Sequence, residues 1–204
     1  MENSIVLAGY AVSVSLLKRE IYMKYNEKKI LLKNGMCCIF KNLRGKHAED
    51  MIKFLKQTSE ESSYILQYPE EINFSVEEEA IYLEEERNDK DRILIAAFIE
   101  NELVGTVEVT AVANCFKLRH RGELGIVVKK EFWNLGIGKN LLLEAIAYAK
   151  GSDYEQLELE VAEENEHAIK LYEKCGFVCY GLRDHSLRYK DGTYSNERLM
   201  IKKL

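Results

Sequence analysis

The chain reads as an α/β protein in which helices are layered on a mixed, mostly antiparallel sheet. Three observations carry this. Segments with strict apolar alternation interleave with segments in which apolar residues return every three or four positions. In "RILIAAFIENELVGTVEVTAV" two apolar runs flank the polar link "ENE", the mark of an antiparallel hairpin. Further on, the strand "GELGIVV" leads through a helix to the strand "LELEV", an order that needs a crossover connection.

Taken in order, the first 35 residues form an extension of unassigned role ahead of a domain spanning 36–204. Within that extension, Ser4–Leu17 is apolar but shorter than the ~18 residues of a membrane span, and Glu2 opposes a signal-peptide reading. Val12, Val14 and Leu16 alternate with serines, which suits a strand. "MCCIFKNL" (Met36–Leu43) is a second strand. A helix follows with Ala48, Met51, Ile52 and Leu55 on one face. Pro69 sits in a loop without periodicity. Ser75 and Glu78 have the spacing of a capping box, so a helix starts there and runs to about Arg87, its acidic run forming a solvated face. After the hairpin and "GELGIVV", Leu142, Ala145, Ile146 and Ala149 form the buried stripe of another helix. "LELEV", a helix over about Glu164–Cys175, and two strands joined by "KDGTY" complete the chain.

The chain has 204 residues, enough for one sizeable core and short for two ordinary domains. A net charge of −5 argues against a broad nucleic-acid surface. Five cysteines, an odd number without a CxxC pair, predict free thiols, a reducing cytoplasmic setting and no metal site.

The most informative stretch is "EFWNLGIGKNLL" (Glu131–Leu142). It joins a strand to a helix. The first turn of a helix has N–H groups without internal partners, and the dipole adds positive potential there, so an anion can be held. Gly136 and Gly138 lack Cβ atoms and let a phosphate approach the backbone closely. The same two glycines also suit a plain tight turn. Neither the Walker pattern nor the full Rossmann fingerprint is present, since Leu141 stands where the latter needs a third glycine. Downstream, in "VAEENEHAIKLYEKCGF", Asn165, Ala168, Ile169 and Tyr172 share one helix face, an amide and a phenol two turns apart.

Together the two stretches resemble the GNAT superfamily of N-acetyltransferases, which pairs a strand, a [QR]xxGx[GA] loop and a helix with a later N-x-x-A-x-x-x-Y segment followed by GF. The resemblance covers about 36–204, and the opening "FKNLRGKHAEDMIKFLKQ" fits the family's first strand and helix. One position departs: Trp133 stands where the family has Arg or Gln. The resemblance implies a sheet that splays between the strands at 123–128 and 156–161. It also implies acetyl-coenzyme A as donor and an amine as acceptor. The pyrophosphate would rest on Asn134, Leu135, Gly136, Ile137, Gly138, Lys139 and Asn140. The pantetheine arm would pair with Ile126, Val127 and Val128, with Asn165 on the other side.

Chemistry then assigns roles. A lysine-like amine is neutral in only about one part in 2,500 at pH 7, a penalty of roughly 4.6 kcal/mol, so a carboxylate base helps. Glu123, at the head of its strand where several members of the resembled family carry such a glutamate, is the first choice, and Glu108 on the preceding strand is the second. Tyr172 is suited to protonate the leaving thiolate, and a backbone N–H near Val128 to hold the oxyanion. No covalent enzyme intermediate is needed. His120 and His167 read as surface residues and Cys175 as packing. Two readings follow: acetyl transfer to a small-molecule or N-terminal amine, or a non-catalytic acyl-CoA-binding sensor on the same fold. A nucleotide-binding protein using the same loop is a third. No nucleic-acid or membrane partner is expected, and the final strands offer an edge for a homodimer.

Overall fold

Strands β1 (Lys28–Leu31), β2 (Cys37–Asn42), β3 (Arg92–Ile99), β4 (Glu102–Ala111), β5 (Arg121–Val128), β6 (Gln156–Ala162), β7 (Val178–Arg188) and β8 (Tyr194–Lys203) make one eight-stranded sheet. Its order is β1-β2-β3-β4-β5-β6-β8-β7, and every pair is antiparallel except β5–β6. Helices α1 (Ala48–Glu61), α2 (Val76–Asn88), α3 (Ile137–Lys150) and α4 (Glu166–Lys174) flank it. The computed structural model describes residues 25–204, so the strand expected within Ser4–Leu17 lies outside the described residues. Lys28–Leu31 pairs with Cys37–Phe40, so part of the 1–35 stretch is built into the sheet.

Local chemistry explains the elements. In the β3–β4 hairpin Glu100 and Asn101 both take positive φ (49° and 72°), the turn whose twist matches the flanking strands. At the start of α2 the Ser75 side chain accepts from Glu78 N–H (3.1 Å), and the Glu78 carboxylate accepts from Ser75 N–H (2.7 Å). The buried stripe of α1 is Ala48, Met51, Phe54 and Thr58, so the expected face is rotated toward Phe54. Phe54 is the largest apolar group on the helix, and it packs with Phe98 and Leu103.

The two faces of the sheet differ. Toward α3 and α4 point Ile93, Ile95, Val107, Val109, Leu124, Leu157, Leu159 and Met200, closed by Ile137, Leu141, Leu142 and Ala145. Toward α1 and α2 the core is smaller, with Leu94, Ala96, Phe98 and Leu103 against Met51, Phe54 and Leu83. The acidic run of α2 is not wholly solvated as expected: Glu79 and Glu86 are buried. They lie at i and i+7 with Leu83 between, so the face of α2 that packs on the sheet carries both carboxylates with it.

Candidate active site

Strands β5 and β6 run side by side only at Arg121–Gln156, Gly122–Leu157 and Glu123–Glu158. The joined end is clamped by Arg121, which donates to both oxygens of Glu158 at 2.6 Å. From Leu124 onward β5 is held by β4 alone, as far as Val128 opposite Gly105. The expected splay is therefore present, and it leaves one edge of β5 unpaired at Ile126, Val127 and Val128.

The glycine loop closes the end of this splay. Asn134 and Gly136 take positive φ (64° and 97°), and α3 begins at Ile137. The first return bond of the helix runs from Asn140 N–H to Gly136 O (3.0 Å). The N–H groups of Ile137, Gly138 and Lys139 thus have no acceptor within α3. The Asn140 side chain also donates to Gly136 O (3.0 Å), which fixes the turn. A Cβ on Gly138 would lie 3.4 Å from Leu171, 3.8 Å from Val128 and 3.9 Å from Ile126. The loop, the free end of β5 and α4 therefore converge at this glycine. Lys33, in the β1–β2 turn, donates its N–H to Leu135 O (3.4 Å) and lays its side chain near Gly136.

The facing wall is α4. Asn165 caps it, its Oδ1 accepting from Ala168 N–H at 3.2 Å. Tyr172 is 7% exposed and belongs to the same core as Ile137, Leu141 and Ile169, against which Ile126 and Val128 pack. Its ring centroid is 6.0 Å from that of Phe177. Burial pushes the phenol pKa upward, so it holds its proton at any physiological pH. Sequence reasoning missed one bridge between the walls. Trp133 donates its indole N–H to Val128 O (2.7 Å) and stacks on His167 at 5.8 Å with the rings 13° apart. His167 is exposed, as expected, yet it is tied to the loop through this stack.

Glu123 and Glu108 lie on the other face, toward α2. Glu123 is exposed at the last position of β5 paired with β6. Glu108 sits across from Gly125 and is half-buried, and burial raises its carboxyl pKa despite the nearby Arg92. Arg92 Nη2 is 3.3 Å from Glu108 and its Nη1 is 2.9 Å from Glu86. Tyr82 OH is 3.4 Å from Glu108. Tyr82, Glu86 and Arg92 were not singled out from the sequence; the i, i+4 spacing of Tyr82 and Glu86 was the available signal. The α1–α2 connection reaches across the mouth: Tyr64 OH donates to Glu164 O (3.4 Å), and Tyr68 OH accepts from Lys190 N–H (3.1 Å). A cavity of about 320 Å³, lined in part by Leu83, Glu86, Arg92 and Tyr148, lies at the end of the sheet away from the glycine loop. The five cysteines are unpaired. Among the described residues no helix is long and apolar enough to cross a membrane.

Residues 56–177 match the sequence model of the acetyltransferase (GNAT) family. This chain belongs to that family. It is 30% identical over 102 residues to streptothricin acetyltransferase of Escherichia coli, a match covering 50% of this chain and 56% of that protein. The chain spans about half the length of the curated relatives it matches. An acetyltransferase of the GNAT family from Streptococcus pneumoniae superposes with a TM-score of 0.78 at 31% identity, over 82% of this chain and 99% of that one. The structure of yncA from Salmonella typhimurium, solved with its cofactor acetyl-CoA, shares the fold (TM-score 0.71, 13% identity, 82% and 94% coverage).

Proposed function

We propose that this GNAT protein transfers the acetyl group of acetyl-CoA to a primary amine by direct attack in a ternary complex. The observation that carries this reading is the conjunction of an unpaired β5 edge with a glycine-bounded helix start at the end of the same strand. The free N–H groups of Ile137, Gly138 and Lys139 suit a pyrophosphate, together with the turn from Asn134 to Asn140. The backbone of Ile126, Val127 and Val128 suits an amide-bearing arm, with the Val128 carbonyl already engaged by Trp133. Asn165 spends Oδ1 on its cap and keeps its amide donors for the arm.

In the reaction the amine nitrogen attacks the thioester carbonyl, and Glu123 takes its proton directly or through a water. A backbone N–H near Val128 steadies the oxyanion. The C–S bond then breaks, Tyr172 protonates the departing thiolate, and the products are an acetamide and free CoA. A small-molecule acceptor is supported by the relative named for streptothricin, and a protein N-terminus remains within the same chemistry.

A panel of polyamines, aminoglycosides, amino acids and peptide N-termini, with thiol release as readout, tests the proposal. Amine-dependent release of CoA is expected. Tight acetyl-CoA binding with no release for any amine would favour the acyl-CoA sensor reading instead. Stabilisation by ATP but not by acetyl-CoA in a thermal-shift comparison would remove both.

A further inference from the structure

We infer that the acceptor carries a second positively charged nitrogen, a diamine or polyamine, whose distal ammonium is held by Glu108 while its reacting amine faces Glu123. This rests on the acetyltransferase reading above. The two carboxylates flank Gly125 on the α2 face: Glu108 is its cross-strand partner and Glu123 lies two residues along β5. Side chains related in this diagonal way sit about 7–8 Å apart, a span that one short alkyl diamine bridges. Between them there is room, because a Cβ on Gly125 would meet nothing within 4 Å.

The charge balance of this face points the same way. Glu158 is neutralised by the two-pronged Arg121, which holds its carboxyl below the usual range. Arg92 is the cation nearest Glu108, and it is shared with Glu86, the closer partner. Glu86 is 2% exposed, and neither of its oxygens accepts a hydrogen bond among the described residues, so Arg92 offers it charge without alignment. One guanidinium thus serves two carboxylates, and Glu123 has no cationic partner among the described ion pairs. Burying unbalanced carboxylates is costly unless a cation arrives to offset them. An ammonium donating to Glu108, with the Tyr82 hydroxyl 3.4 Å from the same carboxylate, supplies that cation. An acceptor with a carboxylate at the distal position would meet repulsion here, which separates polyamines from amino acids.

The test uses the CoA-loaded protein, so that binding is read without turnover. Calorimetric titration with 1,3-diaminopropane and spermidine, against n-propylamine and β-alanine, should give affinities about tenfold or more higher for the diamines, the scale of one charged hydrogen bond. Glu108→Gln should bring diamine and monoamine affinities together. Glu86→Gln should lower diamine affinity in part, by releasing Arg92 to neutralise Glu108. Glu77→Gln, on the outer side of α2, should leave the preference intact. Equal binding of monoamine and diamine, or a diamine preference that survives Glu108→Gln, overturns the inference. A protein that takes up no CoA at all fails earlier, by losing the donor reading itself, and the two failures are distinguished in the first titration.

Discussion

The two faces of the sheet at β4–β6 are built from the same strands and carry different side chains. Toward α3 and α4, Leu124, Leu157 and Leu159 are buried among aliphatic and aromatic side chains. Toward α2, the alternate positions of the same strands are Glu108, Glu123, Gly125 and Glu158. In the reaction proposed above, recognition on the first face falls to the backbone: an unpaired strand edge and helix N–H groups, beside glycines that carry no side chain. On the second it falls to side-chain charge. Backbone recognition suits a ligand shared across a family, whereas charge placement suits a ligand chosen by one member. On that proposal the donor site is the part shared with relatives and the acceptor site is the part individual to this chain.

The comparison breaks most sharply at Gly136. Valine there is strained at φ 97° and β-branched, so the turn must rearrange and the amides lose their aim. Gly136→Val should weaken acetyl-CoA by about 100-fold or more in calorimetry, the worth of two charge-assisted hydrogen bonds. An unchanged isotherm would detach the donor from this loop. Next come the two proposed proton carriers, one on each face. Tyr172→Phe should lower kcat by about 100-fold with little change in the KM for acetyl-CoA; an unchanged kcat removes the acid role. Glu123→Gln should lose rate chiefly near neutral pH and recover as the amine deprotonates by itself at high pH. A loss independent of pH would mean that Glu123 binds rather than accepts a proton.

The smallest effect concerns stability. Burial alone raises the Glu79 carboxyl to about 7 from 4.5. The folded chain therefore holds more protons than the unfolded one between those values, and stability falls as pH rises through that window. By linkage the cost at pH 8 is at most about 3 kcal/mol. Glu79→Gln should raise Tm by several degrees at pH 8 and by little at pH 5. A gain that is the same at both pH values would show that charge burial is not the cause.

Much of the fold was legible because local signals agreed with the tertiary outcome. The capping box at Ser75 and Glu78, the hairpin at Glu100 and Asn101, and the stripe of Leu142, Ala145, Ile146 and Ala149 are settled within a few residues of chain. The strand β1 was passed over because "KKIL" is short and half charged, and only pairing with Cys37–Phe40 makes it a strand. The acidic run of α2 looked solvated because periodicity cannot show which side of a polar helix meets a sheet. Trp133 registered only as a departure from a motif, since its bond to Val128 and its stack on His167 join segments that are adjacent only in space.

By itself the sequence determined most of the order of elements, the glycine turn and the shared helix face of Asn165 and Tyr172, and the class of donor came from the resemblance of these stretches to the GNAT superfamily. These depend on backbone propensity and on motif spacing, which are written along the chain. The tertiary structure alone decided how the carboxylates are balanced: that Arg92 is divided between Glu86 and Glu108, that Arg121 answers Glu158, and that Gly125 leaves open space between Glu108 and Glu123. Charge pairing is a matter of distance through space, and residues 86, 92, 108, 121, 123 and 158 come within reach of one another only when the sheet is assembled.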